Sequence, residues 1–219
     1  MDIQIQVNQQ PVRAYLAVPA GGTGPGVLVL HAWWGLTPFF KTLCDRLAEA
    51  GFIALAPDLY HGPTAATVAE AQALIDAADS QQIGDTVMAA KDALLKYDGR
   101  SGDGLGVIGF SMGGAWTLVA AAYAPEVVRA AVVFYGVAMV DFAKMKAKFM
   151  GHYSDVDEWE PLEGIQALEA AMKDAGVDGT FHLYPGRAHW FFEDNRPEYD
   201  AAAAGQAWER TLAFFRQTL

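Results

Sequence analysis

The sequence predicts an α/β protein: a doubly wound, mostly parallel sheet with helices on both faces and an antiparallel hairpin at its N-terminus. Two observations predict it. Continuously apolar runs such as "GVLVL" (26–30) and "LGVIGF" (105–110) alternate with amphipathic segments, as strands buried on both faces do between crossover helices. Ahead of them, "IQIQV" and "VRAYLAV" alternate apolar and polar residues around the turn "NQQP", the pattern of a hairpin with one solvated face.

Each element follows in order. After the loop "PAGGTGPG" and the first long apolar strand, "TPFFKTLCDRLAEAG" has helical spacing. Thr37 is placed as N-cap, Pro38 at the first position and Gly51 as the stop. "FIALAPDLY" runs from strand into loop, and 66–97 carries one or two alanine-rich helices. "LGVIGF" is a strand, and "SMGGAWTLVAAAYA" is a helix stopped by Pro125. "RAAVVFYG" and "KFMGHYSD" are further strands, "LEGIQALEAAMKDAG" a helix, "TFHLYP" a last strand and "YDAAAAGQAWERTLAFFRQTL" a closing helix. With no internal repeat, low-complexity tract or long linker, residues 1–219 read as one domain.

Composition narrows the function classes. Of the 219 residues 53% are hydrophobic and 19% charged, enough for a large core and too apolar for disorder. No apolar run approaches a membrane span, and "MDIQIQVNQQ" lacks the basic and apolar regions of a secretory signal, so a cytoplasmic location is expected. The net charge is −11, and the densest basic cluster, "KMKAK" at 144–148, spaces its lysines as a solvated loop or strand edge would, so nucleic acid is not an expected partner. The single cysteine excludes an internal disulfide, nothing resembles a CxxC metal site, and no metal or organic cofactor is expected. A monomer or homodimer acting on a small molecule is the expected form.

In a doubly wound sheet the site forms at the carboxyl ends of the strands. The segment "GFSMG" at 109–113 stands there, as G-x-S-x-G between an apolar strand and a helix. A serine held in so tight a turn projects its hydroxyl above the sheet, and only minimal side chains two residues to either side avoid collision. Ser111 is therefore the candidate nucleophile. The backbone N–H of Met112, at the helix N-terminus, is an oxyanion donor, and Gly114 lets the helix pack close to the sheet.

Five histidines compete as its base. His182 lies within a strand, His31 ends the first apolar run, His61 sits in a loop past a strand, and His152 ends another strand. His189 follows the last strand through the turn "PGRA" and lies C-terminal to the serine, so His189 is chosen. The acid comes from a strand-end loop between them. Asp141, Asp155 and Asp157 all qualify by position.

These residues carry a resemblance. "VLVLHAWWGL", "ALAPDLYHG", "VIGFSMGGA", "VVFYG", "GHYSDVDEWEP" and "LYPGRAHWF", in that order and over essentially the whole chain, resemble the dienelactone hydrolase family of α/β-hydrolases. The resemblance implies the α/β-hydrolase fold and hydrolysis of an ester or lactone. It implies Asp157, followed by Trp159 and Pro161, as the acid, and the backbone N–H of Trp33 as the second oxyanion donor.

The sequence departs from the family in three ways. Members acting on dienelactone use cysteine where Ser111 stands, whereas Cys44 lies mid-helix as a buried filler. Their glutamate beside the resting nucleophile is here Ala32. Their arginines for the lactone carboxylate lack counterparts, since the position four past His189 is Glu193 and 61–97 holds no arginine.

Trp34, Tyr60, Tyr135, Trp190 and Phe191 are expected to line an aromatic substrate pocket, with Trp116 in the core. The expected activity is that of a serine carboxylesterase working through Ser111, His189 and Asp157. The alternatives are a dienelactone hydrolase (carboxymethylenebutenolidase) acting on an acidic lactone, and a non-catalytic ligand-binding member of the fold.

Overall fold

The apolar runs become the interior strands of one sheet. The computed structural model describes residues 1–219 as β1 (Asp2–Val7), β2 (Gln10–Ala17), β3 (Gly24–Leu30), α1 (Pro38–Glu49), β4 (Ile53–Pro57), α2 (Val68–Ala77), α3 (Ser80–Leu95), β5 (Arg100–Phe110), α4 (Met112–Tyr123), β6 (Val128–Phe134), β7 (Lys148–Ser154), α5 (Leu162–Asp174), β8 (Gly179–Tyr184) and α6 (Ala201–Thr218). The strands lie in the order β1-β2-β4-β3-β5-β6-β7-β8. β1, β2 and β4 pair antiparallel, and β3 to β8 run parallel.

Alternation divides the core between the two faces. Val27, Val29, Ile108 and Val132 point to the side covered by α1 and α6, where Phe40, Leu43, Leu47 and Phe215 meet them. Leu28, Leu30, Val107 and Val133 point to the side of α3, α4 and α5, against Val87, Leu118, Leu168 and Met172. A one-residue slip would exchange the two sets, so the register is fixed by fit on both faces.

The helix ends follow local chemistry. Thr67 and Glu70 form a reciprocal capping box on α2, and the carboxylates of Asp79 and Asp200 accept from the first turns of α3 and α6. Gly51 takes φ +99° just after α1, as a stop residue does. Thr37 stands at the head of α1, but its hydroxyl makes no capping bond and is buried without a partner. Pro38, which has no N–H and a preset φ, opens that helix instead.

Two features fix the edge where the chemistry is expected. First, α4 lies almost on β5 and β3. A Cβ on Gly109 would collide with the Gly113 carbonyl and the Thr117 hydroxyl, and one on Gly113 would collide with the carbonyls of Leu30 and His31. Second, His31, fully buried past β3, donates from Nδ1 to the Ala32 carbonyl at 2.7 Å and accepts the Leu59 N–H at Nε2 at 3.0 Å. Both ring nitrogens are thereby satisfied in the neutral form, and burial pulls the imidazole from 6.5 down to about 4.

Two outcomes follow from these packings. Gly109→Ala should lower the unfolding free energy by about 3 kcal/mol in urea titrations, whereas Gly205→Ala, at a helical position with open space, should raise it by about 0.5–1 kcal/mol. The folded protein resists protonating His31 while the unfolded chain does not, so its contribution is complete above pH 6.5 and is lost as pH falls toward about 4. Urea midpoints measured from pH 7 to 4 should therefore fall more steeply in the wild type than in His31→Gln, by on the order of 2 kcal/mol over the range.

Candidate active site

The turn between β5 and α4 holds Ser111 at φ +52°, ψ −115°, a conformation that non-glycine residues rarely adopt. Its N–H donates to the Phe134 carbonyl at 2.9 Å, and its carbonyl accepts the Ala115 N–H at 3.1 Å, so the strain is held by neighbours on both sides. Gly136 completes the fit, because a Cβ there would strike the Ser111 carbonyl. Ser111 is half-buried at the carboxyl edge.

Two loops converge on it. His189, only 2% exposed, accepts at Nε2 from the Ser111 hydroxyl at 2.9 Å and donates from Nδ1 to Asp157 Oδ2 at 2.7 Å. Asp157 is saturated. Its Oδ1 accepts the N–H groups of Trp159 and Glu160, each at 2.9 Å, and its Oδ2 also takes the Ser154 hydroxyl at 3.3 Å. The carboxylate is thus oriented by its own loop before it meets the imidazole.

Asp155, two residues earlier, does a different job. Its Oδ1 accepts the Gly186 N–H at 2.6 Å, and Val156 donates to the Arg187 carbonyl at 3.1 Å. These bonds stitch the loop after β7 to the turn that precedes His189. Asp141 heads a short 3₁₀ turn, Phe142–Lys144, and pairs with Lys144 instead.

The other histidines are engaged elsewhere. His152 is buried between the hydroxyls of Tyr184 and Thr211, and His61 meets the Thr86 hydroxyl at 2.8 Å. His182, on the edge strand β8, stacks on His152 with centroids 5.5 Å apart.

Met112, the first residue of α4, has no intrahelical acceptor for its N–H. The Trp33 N–H donates to no backbone carbonyl. The loop that carries Trp33 is fixed by His31 and Gly35, both donating to the Ala32 carbonyl, and by Ala65, which donates to the Trp34 carbonyl at 2.9 Å.

Trp33, Trp34, Trp159 and Trp190 cluster with ring centroids of neighbouring pairs 5.0–6.1 Å apart. Trp159 is 40% exposed, whereas Trp34 and Trp190 are nearly enclosed. Tyr60 is half-buried and its hydroxyl reaches the Met112 sulfur at 3.2 Å.

Of the expected pocket residues, Tyr135 and Phe191 are fully buried, with Phe191 packed on Tyr184 and Tyr135, so both back the histidine loop, and Trp34 is nearly as enclosed. Trp116 departs from its expected core position as well. It is half-buried on a groove of about 800 Å³ between α3 and α4, which includes none of Ser111, His189 and Asp157. Cys44 is buried in α1, and burial pushes its thiol up, away from the thiolate that chemistry would need.

Two carboxyl groups were not singled out as functional from the sequence. Glu160 is pushed up to about 7 by burial and by the adjacent Asp157 charge. Glu193, fully buried, accepts the Tyr135 hydroxyl at 2.9 Å and is pushed up to about 7 by burial. The available signal was its place directly after the aromatic run "HWFF". No group of three or more His, Cys, Asp or Glu side chains is arranged to hold a metal ion, and no helix is long and apolar enough to cross a membrane.

The chain matches proteins of one family. The dienelactone hydrolase family profile matches residues 12–219. "Protein usf" of Aquifex pyrophilus is 33% identical over 99% of this chain and 98% of its own. A protein of Methylorubrum extorquens named "Putative carboxymethylenebutenolidase" is 32% identical over 99% of this chain and 80% of its own. Among solved structures, a Klebsiella pneumoniae protein named "Putative Dienelactone Hydrolase" superposes with a TM-score of 0.88 at 25% identity, covering 99% of this chain and 98% of that one. The fold also matches a Thermogutta terrifontis esterase, with a TM-score of 0.70 at 19% identity over 99% of this chain and 91% of that one. With its ordered motifs, its α/β-hydrolase fold and these relatives, the chain belongs to the dienelactone hydrolase family and is a hydrolase acting on ester bonds.

Proposed function

We propose that the protein is a carboxylesterase-type serine hydrolase that cleaves a small, uncharged ester or lactone, with Ser111, His189 and Asp157 as its triad. The carrying observation is the continuous array from Asp157 Oδ2 through the two nitrogens of His189 to the Ser111 hydroxyl, at 2.7 and 2.9 Å. His189 takes the Ser111 proton as the oxygen attacks the substrate carbonyl, and Asp157 stabilises the resulting imidazolium. The N–H groups of Met112 and Trp33 donate to the oxyanion. The imidazolium then protonates the leaving alcohol as its bond to the acyl carbon breaks. Water, deprotonated by His189, attacks the acyl-serine and releases the acid, and the proton returns to Ser111.

Serine in place of the family's cysteine is consistent with Ala32 in place of its glutamate. A neutral hydroxyl activated by histidine needs no carboxylate to poise it at rest. The preference for an uncharged substrate rests on the cations. Arg196 lies over the Trp34 ring, 3.4 Å from its centroid, and donates to the Ala66 carbonyl, while Arg187 pairs with Asp200. The resemblance implies a cation four residues past His189, and this chain has Glu193 there.

A second reading, hydrolysis of an acidic lactone, is favoured by the names of relatives. One is the carboxymethylenebutenolidase-named protein above, and another, from Bradyrhizobium, is named a probable 2-oxo-3-(5-oxofuran-2-ylidene)propanoate lactonase.

A fluorophosphonate probe should label the folded wild type and leave Ser111→Ala unlabelled. Ser111→Ala should lower kcat by about 10⁴–10⁶-fold, with Asp157→Asn well below wild type and above Ser111→Ala. Absence of labelling would instead support a non-catalytic member of the fold. Across paired p-nitrophenyl esters with and without a terminal acyl carboxylate, kcat/KM should favour the uncharged member by about tenfold or more, the cost of seating an unpaired charge. A preference for the charged member, or for an acidic lactone, would select the second reading.

A further inference from the structure

Past His189 the chain turns back on itself. Trp190 adopts φ +60°, and the Glu193 N–H donates to the Trp190 carbonyl at 2.9 Å. The turn drives Glu193 into the interior, where none of its surface is exposed. One carboxyl oxygen accepts the Tyr135 hydroxyl, and the other has no partner. Tyr135 is equally enclosed and equally constrained. It follows β6 at φ +39°, and its N–H donates to the His152 carbonyl at 2.8 Å. Its ring lies 4.7 Å from the His189 ring, centroid to centroid.

The arrangement costs more than packing requires. Phe134 and Phe191 pack on the tyrosine ring, the nearby Arg196 guanidinium offsets part of the charge without hydrogen-bonding to it, and an apolar residue at 193 would avoid burying a carboxyl with an unpaired oxygen. What the carboxyl supplies, and an apolar residue would not, is a directional anchor for the phenol. That phenol in turn is the surface against which the imidazole lies.

We propose that Tyr135 and Glu193 are positioning residues for His189: their hydrogen bond fixes the tyrosine ring as the wall that holds the imidazole between Ser111 and Asp157. The inference rests on the proposed role of His189 as the base. It assigns neither residue a contact with substrate. The hydroxyl needs an acceptor at 193 and does not need a charge there, so glutamine can replace glutamate and alanine cannot.

The test is a four-variant series with p-nitrophenyl acetate as substrate: Tyr135→Phe, Glu193→Ala, Glu193→Gln and the double variant Tyr135→Phe/Glu193→Ala. Tyr135→Phe removes a single oxygen, so it keeps the test open if Glu193→Ala does not fold. Tyr135→Phe and Glu193→Ala should each lower kcat about tenfold with KM within about twofold, as expected for a base held off its line of action. Glu193→Gln should stay within about threefold of wild type. The double variant should be no worse than the poorer single one, because both changes delete the same bond.

In proton NMR, the downfield His189 Nδ1 proton should broaden in Tyr135→Phe and remain sharp in Glu193→Gln. A folded Tyr135→Phe with kcat within twofold of wild type would overturn the proposal, as would a Glu193→Gln variant as impaired as Glu193→Ala. Ser111→Ala, measured alongside, separates the two levels. If it stays active, the assignment of His189 fails and takes this role with it. If it is inactive while Tyr135→Phe is unaffected, only the positioning role fails.

Discussion

The near-contact between α4 and the strands beneath it is the constraint on which the rest of the structure depends. The helix begins one residue after β5 ends, and Gly109, Gly113 and Gly136 remove the three side chains that would hold it away. Ser111 therefore has no relaxed conformation available and stands at φ +52°. Such a residue carries about 1–3 kcal/mol of strain, which persists only where its surroundings over-determine it. Here they do, through the bonds to Phe134 and Ala115. The same condition recurs along the edge, where Tyr135 after β6 and Trp190 after β8 also take positive φ. Positive φ is thus found at residues in the loops beyond the strands, while the interior pairings shift register at Pro25/Gly26 and Leu105/Gly106, toward their opposite ends.

The acidic loop divides its work between two aspartates. Asp157 is aimed by two of its own backbone N–H groups and a serine hydroxyl, so its geometry does not rely on the histidine it meets. Asp155 instead holds the turn from which the histidine chain starts. Orientation of the carboxylate and placement of the imidazole are thus set by separate residues of one short segment. Disturbing either would displace a hydrogen bond of less than 3 Å, a distance over which hydrogen-bond energy falls steeply.

The fold was legible in the sequence because its signals are local. Two-faced burial makes continuous apolar strands, and "NQQP" between alternating runs makes a hairpin. The residues around Ser111 were legible for a similar reason, since G-x-S-x-G encodes its backbone requirement in the glycines. Between Asp155 and Asp157 the spacing was silent. Both sit in one loop, and what separates them is a pair of hydrogen bonds to different partners. Tyr135 and Phe191 read as pocket wall because they follow strand ends. How far a side chain is covered depends on chain from elsewhere, here the turn after His189. The Tyr135–Glu193 bond spans 58 residues and joins two positions with no common pattern, so no window of sequence contains it. Thr37 has the residue type of a cap and makes no capping bond, because Pro38 already relieves part of the need.

The loops that meet at Ser111 come from distant parts of the chain. The bond from His189 to Ser111 closes a separation of 78 residues, and that from His189 to Asp157 one of 32. The elbow draws on β3, β5, β6 and α4, whereas the imidazole comes from the loop past β8, the edge strand of the sheet. Such closures cost chain entropy before any contact repays it, and the β3–β5 pairing that carries the elbow, which joins Gly24 to Arg100, is long-range in the same way. The serine–histidine bond therefore needs the outer strands as well as the elbow. Recovery of that bond during refolding reports the docking of the last two strands, and a chain that ends before β8 keeps the elbow residues and lacks His189.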